Sequence, residues 1–267
     1  MQSRNSHSSA SRIGLFTIVL GIVIIEACAA RGHTANPAAA ASNATTPASR
    51  RLVTSHLVNF TEVERTLFRP ATDDTTEREA VRTTVEERLV PLADGGRGLM
   101  RISSGHYAAG DFSDTLVMHR DGLAPVWERL RYPQRRYAKE IEYGGASLHQ
   151  LNRLGDSTKS FEKRFALPVF AFSEVDLVVR SLPYASGYRT ILPLYSEGDD
   201  SLEMDTIAVV GNAGHAWTVR FADPAIVATY VIDSASRRIT QYDVMSRQNG
   251  SRARRVVSPG RATSGGT

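Results

Sequence analysis

Apolar and polar side chains alternate with a period of two along much of residues 51–247, and this alternation predicts β-strands. In the stretch AWTVRF, for example, Trp217, Val219 and Phe221 fall on one face of a strand. Glycine-containing turn signals such as Asp121-Gly122 separate one run from the next. The pattern therefore predicts about nine or ten strands in meander order.

One segment has the period of a helix instead. Ser173 and Asp176 form an S-x-x-D capping signal, and Pro183 ends the run. Between them, four apolar residues follow at helical spacing and share one face: Val175, Val178, Val179 and Leu182. We expect this to be the one main helix of the domain.

Many strands in meander order and one helix predict a mainly β fold, an antiparallel curved sheet or half-barrel around the helix or around a cavity. Six residues are candidates for lining an apolar cavity: Val175, Val178, Val179, Leu182, Trp217 and Phe221. The alternative is that these side chains simply fill a core.

The amino-terminal region has the organisation of a signal peptide, assigned to residues 1–27. Residues 1–12 are polar and basic, and the thirteen residues from Ile13 to Ile25 carry no charge. This run has the length of a secretory hydrophobic region and is shorter than the ~20 residues that span a bilayer as a helix. It is followed by Ala27 and by Cys28, the only cysteine of the chain.

The residues Ile25, Glu26, Ala27 and Cys28 resemble the bacterial lipoprotein signal, which is cut just before a cysteine. The resemblance implies that Cys28 carries a diacylglyceryl group and an acylated amino terminus, which together anchor a protein stably to a membrane. Ala29 in the next position implies the outer membrane, with the domain facing the periplasm. Two alternatives are ordinary cleavage near residues 27–30 and an uncleaved membrane anchor.

The amino-acid composition divides the rest of the chain into a tether, a folded domain and a tail. Residues 28–50 are rich in alanine, threonine, serine and proline, which predicts a disordered tether before the domain at 51–247. Residues 248–267 predict a basic disordered tail, either solvated or touching anionic headgroups. Its four arginines are Arg252, Arg254, Arg255 and Arg261.

The net charge of +4 comes mainly from arginine, since lysine stands only at 139, 159 and 163. Acidic residues are interspersed with the arginines, so no basic stripe indicates nucleic-acid binding, and the secretory signal argues against it as well. A single cysteine excludes an intrachain disulfide and a CxxC-type metal site.

The sequence shows no recognisable catalytic motif: no G-x-S-x-G turn, H-E-x-x-H, Walker loop or G-x-G-x-x-G. The stretch SSGHY places Ser103 and Ser104 near His106, a common turn composition. The acidic stretch SEGDDSLEMD lacks EF-hand spacing and is interpreted as a solvated turn. We therefore predict no catalytic residue, cofactor or metal site, and keep a hydrolase with dispersed catalytic residues as an alternative.

Three segments in order, DTLVMHRDGLAPVWER, VDLVVRSLPYASGYRTILPLY and AWTVRF with its closing hairpin, resemble the bacterial envelope proteins grouped as domain of unknown function 3108. That resemblance implies a half-barrel similar to periplasmic lipoprotein carriers, whose concave sheet holds acyl chains. We expect a non-enzymatic envelope lipoprotein that binds a lipid, another apolar ligand or an envelope protein partner. The alternative is a structural or assembly protein that acts through its surface.

Overall fold

The structure is a computed structural model that describes residues 44–49, 51–72, 76–197 and 200–258. Within these ranges, fifteen strands form one sheet and the helix α1 (Val175–Arg180) packs against it. The strands are β1 (Phe60–Arg69), β2 (Arg78–Pro91), β3 (Arg97–Tyr107), β4 (Gly110–His119), β5 (Pro125–Tyr132), β6 (Tyr137–Tyr143), β7 (Ser147–Leu154), β8 (Ser157–Arg164), β9 (Phe170–Ala171), β10 (Arg189–Ser196), β11 (Ser201–Ala213), β12 (Ala216–Ala222), β13 (Ile226–Asp233), β14 (Ile239–Ser246) and β15 (Arg252–Ser258).

The sheet consists of two antiparallel meander arms. Strands β1 to β8 follow one another in one arm, and β10 to β14 follow one another in the other. Strand β15 pairs with both β1 and β14 and so joins the arms, while β9 pairs parallel to β10 at the far edge. The sheet is curved and does not close, which confirms the predicted mainly β, half-barrel fold with one main helix.

The predicted strand number is too low. The alternating segments of the sequence correspond to β2 to β6 and β10 to β14, and the pattern missed β1, β7, β8, β9 and β15. In β8, whose sequence is STKSFEKR, six of eight residues are exposed and only Phe161 and Lys163 are half-buried. An edge strand without a buried face shows little apolar alternation, so its sequence looks like a loop.

The prediction of a disordered tail from residue 248 is wrong for residues 252–258. They form β15, which lies in the middle of the sheet, and Ala253 and Arg255 on it are buried. Backbone hydrogen bonds to strands on both sides and carboxylate partners for Arg255 stabilise a segment whose composition alone suggests disorder. Residues 259–267 of the predicted tail lie outside the described residues.

The prediction of a tether up to residue 50 also needs correction. Ala44 forms a parallel bridge with Ile191, and the backbone N–H of Thr45 donates to the Ile191 carbonyl at 2.9 Å. A Cβ at Gly122 would lie 2.5 Å from the Pro47 carbonyl oxygen, so the chain passes directly over this turn. The folded domain therefore begins no later than Ala44.

The structure confirms the predicted helix but not its cap. Glu174 occupies the cap position of α1 without a side-chain hydrogen bond to the helix, and its carboxylate accepts from the Ala171 N–H at 2.6 Å, before the preceding 3-10 turn Phe172–Glu174. Ser173 instead donates to Glu128 at 2.6 Å, and Asp176 accepts from Arg255 at 2.5 Å. Both residues of the predicted capping signal are thus used by partners on the sheet.

The main core lies between α1 and the concave face of the second arm. Leu177, Val178 and Val179 of the helix are fully buried in it. It includes apolar side chains from every strand from β9 to β15. Leu99, Leu116 and Met118 extend it to β3 and β4.

Side chains bridge the two edges of the open sheet. Strands β8 and β9 are consecutive in the chain yet lie at opposite edges. Near them, Tyr195 donates to Gln150 at 2.6 Å, and Asp200 accepts from Gln150 at 2.7 Å and from Lys139 at 2.9 Å. These contacts join β6 and β7 to the end of β10, so side chains rather than a backbone ladder connect the edges.

Candidate functional site

The six predicted cavity residues do not all line one cavity. Val178, Val179 and Leu182 are fully buried in the main core. Trp217 is half-buried and its ring stacks on Tyr184 with centroids 5.7 Å apart. Only Val175 and Phe221 border a cavity at the start of α1. Val175 and Phe221 also belong to the main core, and Trp217 packs against it, so the filled-core alternative fits all six residues.

This cavity has a volume of about 30 Å³. Its lining combines apolar and charged side chains. The apolar ones include Phe172 and Phe221, whose rings meet edge to face at 6.5 Å. The remaining lining residues are Arg101, Ser173, Val175, Asp176, Ile226, Tyr230, Tyr242 and Arg255.

The charged lining residues, Arg101, Asp176 and Arg255, belong to a buried ion-pair network. Asp176 binds Arg255 at 2.5 Å and Arg101 at 3.3 Å. Arg255 also binds Glu64 at 3.2 Å. Glu87 completes the network by pairing with Arg101 at 3.6 Å and with Arg180 at 2.8 Å. Helix α1 is thus fixed to β2 and β3 of the first arm and to the joining strand β15 by charge-assisted hydrogen bonds.

Burial and neighbouring charges shift the pKa of Asp176 in opposite directions. Burial alone would raise its pKa, but Arg255 and Arg101 outweigh this effect and hold the pKa below its usual value. Asp176 is therefore a carboxylate in the folded protein. For Glu87, burial is stronger than the attraction of Arg180 and Arg101, and its pKa is raised.

Nη2 of Arg255 is buried without a hydrogen-bond partner among the described residues, and the hydroxyl of Tyr242 interacts with that of Tyr230. The side chains of Arg255 and Tyr242 are almost completely buried, at 3% and 2% exposure. The Arg255 guanidinium carbon lies 4.5 Å from the centroid of the Tyr242 ring.

A second buried polar cluster lies further along the first arm. Glu128 accepts from Tyr143 at 2.8 Å and from Ser173 at 2.6 Å. Burial raises the pKa of Glu128 and raises those of Asp114 and Glu174 well above the usual value. These carboxyl groups hold protons to a higher pH than exposed ones do.

Sequence reasoning missed both polar clusters. The sequence did contain a sign of them. Glu87 falls on the same strand face as Val85, and Glu128 on the same face as Leu130, and the inward positions of both strands are otherwise mostly apolar. A charged residue at an inward position of an alternating strand indicates a buried partner elsewhere in the chain.

Three histidines lie near a carboxylate or a serine hydroxyl, the kind of pair that the hydrolase alternative would need. His106 contacts Asp111 at 2.8 Å and His149 contacts Ser160 at 2.8 Å, whereas His119 lies 3.8 Å from Asp94. The His106 side chain is 74% exposed, and none of these residues lines the cavity at α1.

The predicted acidic turn is not uniformly solvated. Glu197 and Asp205 are buried, at 1% and 2% exposure. Potential ligand atoms of Asp205, Glu203 and Asp223 lie within 4.8 Å of one another, and the Asp223 carboxylate already accepts from the Ile226 N–H at 2.7 Å. Packing against neighbouring strands, which the sequence could not reveal, buries part of this stretch.

The outer face of the sheet carries a groove of about 300 Å³ across β1, β15, β14 and β13. Leu67, Val227 and Met245 supply apolar surface there. Arg69 and Arg252 line the same groove and are directly opposite each other on β1 and β15. The groove combines apolar surface with arginine side chains and with the carboxylates of Glu77 and Asp243, of which Glu77 pairs with Arg254 at 2.6 Å.

Fold and site together define a half-barrel with a buried ion-pair network beside a small cavity. No family model and no curated protein matches the chain. The resemblance to domain of unknown function 3108 therefore stays a prediction. Within the described part of the chain, no helix has the length and hydropathy needed to cross a membrane.

Solved structures similar to this chain include the following two. One is a beta-barrel-like protein of domain of unknown function 1849 from Brucella abortus, with 10% identity and a TM-score of 0.45, covering 77% of this chain and 98% of its own. The other is a putative outer membrane lipoprotein-sorting protein domain from Vibrio parahaemolyticus, with 12% identity and a TM-score of 0.26, covering 79% of this chain and 87% of its own.

The predictions for Cys28, for the signal peptide at 1–27 and for residues 28–43 of the tether lie outside the described residues.

Proposed function

We propose that this protein is a non-enzymatic, membrane-anchored envelope protein that binds an apolar ligand at the cavity bordered by Val175 and Phe221. The observation that carries the proposal is the position of this cavity between α1 and an open, curved sheet, with aromatic side chains in its lining. Ligand sites in proteins combine such apolar walls with a few buried polar groups.

The cavity is small, and this limits how a ligand is held. With a volume of about 30 Å³, it has room for little more than one or two groups of the size of water. One end of the ligand occupies it, and the rest lies along the neighbouring concave surface.

Ligand binding is tested by filling the cavity. Val175→Ile adds one methylene to its lining and should abolish the binding of 1-octanol measured by calorimetry. A substitution of this size costs less than about 1.5 kcal/mol of stability when the core accommodates it. The matched control is Val231→Ile, on the outward face of β13, which should bind 1-octanol as the unchanged protein does. Equal affinity in both variants, or no binding to the unchanged protein, would contradict a ligand site here.

The membrane anchor of the proposal depends on Cys28. Cys28→Ser in the full chain should move the protein from the membrane to the soluble fraction of bacterial cells and abolish labelling by radioactive palmitate. The control Ala29→Ser keeps the cysteine and should remain labelled. If the Cys28→Ser protein stayed on the membrane, an uncleaved anchor would replace the lipoprotein interpretation.

A second function, binding of an envelope protein partner through the surface, is favoured by the outer groove. It is about ten times larger than the concave cavity and pairs apolar surface with arginine side chains. Met245→Glu would place a negative charge on its apolar surface. Loss of cross-links to envelope proteins in this variant, with cross-links retained in Val175→Ile, would favour this second function.

A further inference from the structure

We infer that the outer face of the second arm lies on an anionic membrane surface, with its apolar side chains against the lipid and Arg69 and Arg252 at the phosphate groups. The inference rests on the membrane anchor of the proposed function and is independent of the cavity at α1. It identifies the surface through which the anchored domain meets the membrane.

The first argument is a row of side chains that crosses the outer face from β10 to β1. Residues directly opposite each other in neighbouring strands point to the same face of a sheet. The members of the row, in order, are Ile191, Thr206, Ala222, Val227, Met245, Arg252 and Arg69. Ile207, Phe221 and Ile226, which adjoin the row along their strands, are buried in the main core with α1. The row therefore points away from the core, and at about 4.8 Å between strands it is about 30 Å long.

The second argument is that the outer faces of the two arms differ in charge. Among the outward positions of β11, β12 and β13, only Arg220 and Asp233 are charged, and Val210 is 57% exposed. The outward positions of β5, β6 and β7 carry many more charged residues: Arg129, Arg131, Glu140, Glu142 and Arg153. There, Arg153 pairs with Glu140 at 2.9 Å. Covering a face with few charges costs less desolvation than covering a charged one, so the second arm is the side suited to lipid.

The third argument is a surplus of positive charge on the same face. Across the outward positions of β11 to β15 and of β1, arginines outnumber aspartates five to two: Arg65, Arg69, Arg220, Arg252 and Arg254 against Asp233 and Asp243. Glu77 beside them pairs with Arg254 at 2.6 Å and leaves a surplus of two positive charges. Arg69 and Arg252 are directly opposite each other at the end of the row. Because the guanidinium group matches the geometry of a phosphate, this surplus favours an anionic lipid surface.

The fourth argument is the place where the chain enters the domain. Ala44, the first residue that the structure describes, forms a parallel bridge with Ile191, the first member of the row. Cys28, the proposed lipid attachment point, precedes Ala44 by sixteen residues. A segment of that length spans at most about 55 Å when fully extended. The anchor therefore holds the domain near the membrane by the edge of the sheet from which the row starts.

The test places the photo-crosslinking amino acid p-benzoylphenylalanine at Met245, a member of the row that is 38% exposed. The full chain is reconstituted through its anchor into vesicles of phosphatidylethanolamine and phosphatidylglycerol and is then irradiated. We expect a phospholipid adduct, detected by mass spectrometry. The matched control has the same amino acid at Leu154, which is 61% exposed at the end of β7 in the first arm, and should lack the adduct.

A second substitution tests the contact between arginine and phosphate. Arg252→Ser should lower the adduct yield at position 245 up to about fivefold, which corresponds to the ~1 kcal/mol that one arginine contributes near an anionic surface. Its control is Arg131→Ser on the outer face of β5, which should leave the yield unchanged. An unchanged yield in Arg252→Ser would overturn the assignment of the arginines to the phosphate groups.

The remaining outcomes separate the inference from the anchor on which it rests. Equal lipid adducts at positions 245 and 154, or covalent dimers at 245 in place of a lipid adduct, would overturn the inference. Protein that floats with the vesicles but gives no adduct would also overturn it, would leave the anchor intact and would favour an envelope protein partner on this face. If the unchanged protein does not float with the vesicles, both the inference and the membrane anchor are wrong.

Discussion

Asp176→Asn should lower the free energy of unfolding by about 3–5 kcal/mol, the range for breaking a buried ion pair by removing one partner. Asp176 is the carboxylate that Arg101 and Arg255 share, at 3.3 and 2.5 Å. The asparagine has nearly the same shape, so the change removes charge and leaves the packing of α1 in place. The network would then contain three guanidinium groups and only two carboxyl groups, Glu64 and Glu87.

Urea denaturation followed by circular dichroism measures this loss. The matched control is Asp156→Asn, since Asp156 pairs with Arg136 at 2.6 Å but its side chain is 94% exposed. Exposed ion pairs contribute at most about 1 kcal/mol. Similar small losses in both variants would mean that water reaches the network and that it does not fix the helix to the sheet.

The second large effect concerns the pH dependence of stability, to which Glu62 and His56 contribute in opposite directions. Burial, reinforced by Glu64 and Glu87 and opposed by Arg101 and Arg180, raises the pKa of Glu62 from 4.5 to about 7. Burial, together with Arg180, Arg237 and Arg120, lowers the pKa of His56 from 6.5 to about 4. Each group therefore favours its neutral form in the folded protein.

The direction in which each group changes the stability with pH follows from proton linkage. A carboxyl group with a raised pKa contributes stability that is fully present below about pH 4.5 and is lost as the pH rises through 7. A histidine with a lowered pKa contributes stability that is present above 6.5 and is lost as the pH falls through 4. Between pH 4.5 and 6.5 the two contributions oppose each other.

Single substitutions should separate the pH-dependent contributions of Glu62 and His56 to stability. Glu62→Gln should gain stability relative to the unchanged protein as the pH rises from 5 to 8, and His56→Gln should gain stability as it falls from 7 to 4. One pKa unit corresponds to about 1.4 kcal/mol, so each difference is on the order of a few kcal/mol. Urea unfolding at several pH values measures both, with Glu142→Gln on the exposed face of β6 as the control. Parallel pH profiles for all four proteins would show that neither group is held neutral by the fold.

Much of the fold could be predicted because its signals are local. The strands β2 to β6 and β10 to β14 alternate apolar and polar residues, and the α1 segment repeats at helical spacing. The Asp121-Gly122 turn joins β4 and β5 as predicted, with Gly122 at a φ of +90°. Each of these features depends on residues close together in the chain.

The candidate site could be predicted only in part. Val175 and Phe221 border the cavity, but the residues that give it polar character, Arg255 and Tyr242, were not predicted as ligand-binding. Arg255 was assigned to a disordered tail because its local composition is basic and rich in small residues. Its neighbours Asp176 and Glu64 lie 79 and 191 positions away in the chain, and local periodicity carries no information about such pairs.

The amino-acid sequence was thus sufficient for the class of fold, the main helix and most of the strands, because side-chain periodicity and turn residues act over a few positions. Only the tertiary structure decided that β15 joins the two arms and that the inward charged residues form one network. The physical reason is that a buried charge is stable only beside an opposite charge, and here the folded sheet brings that partner from a distant strand.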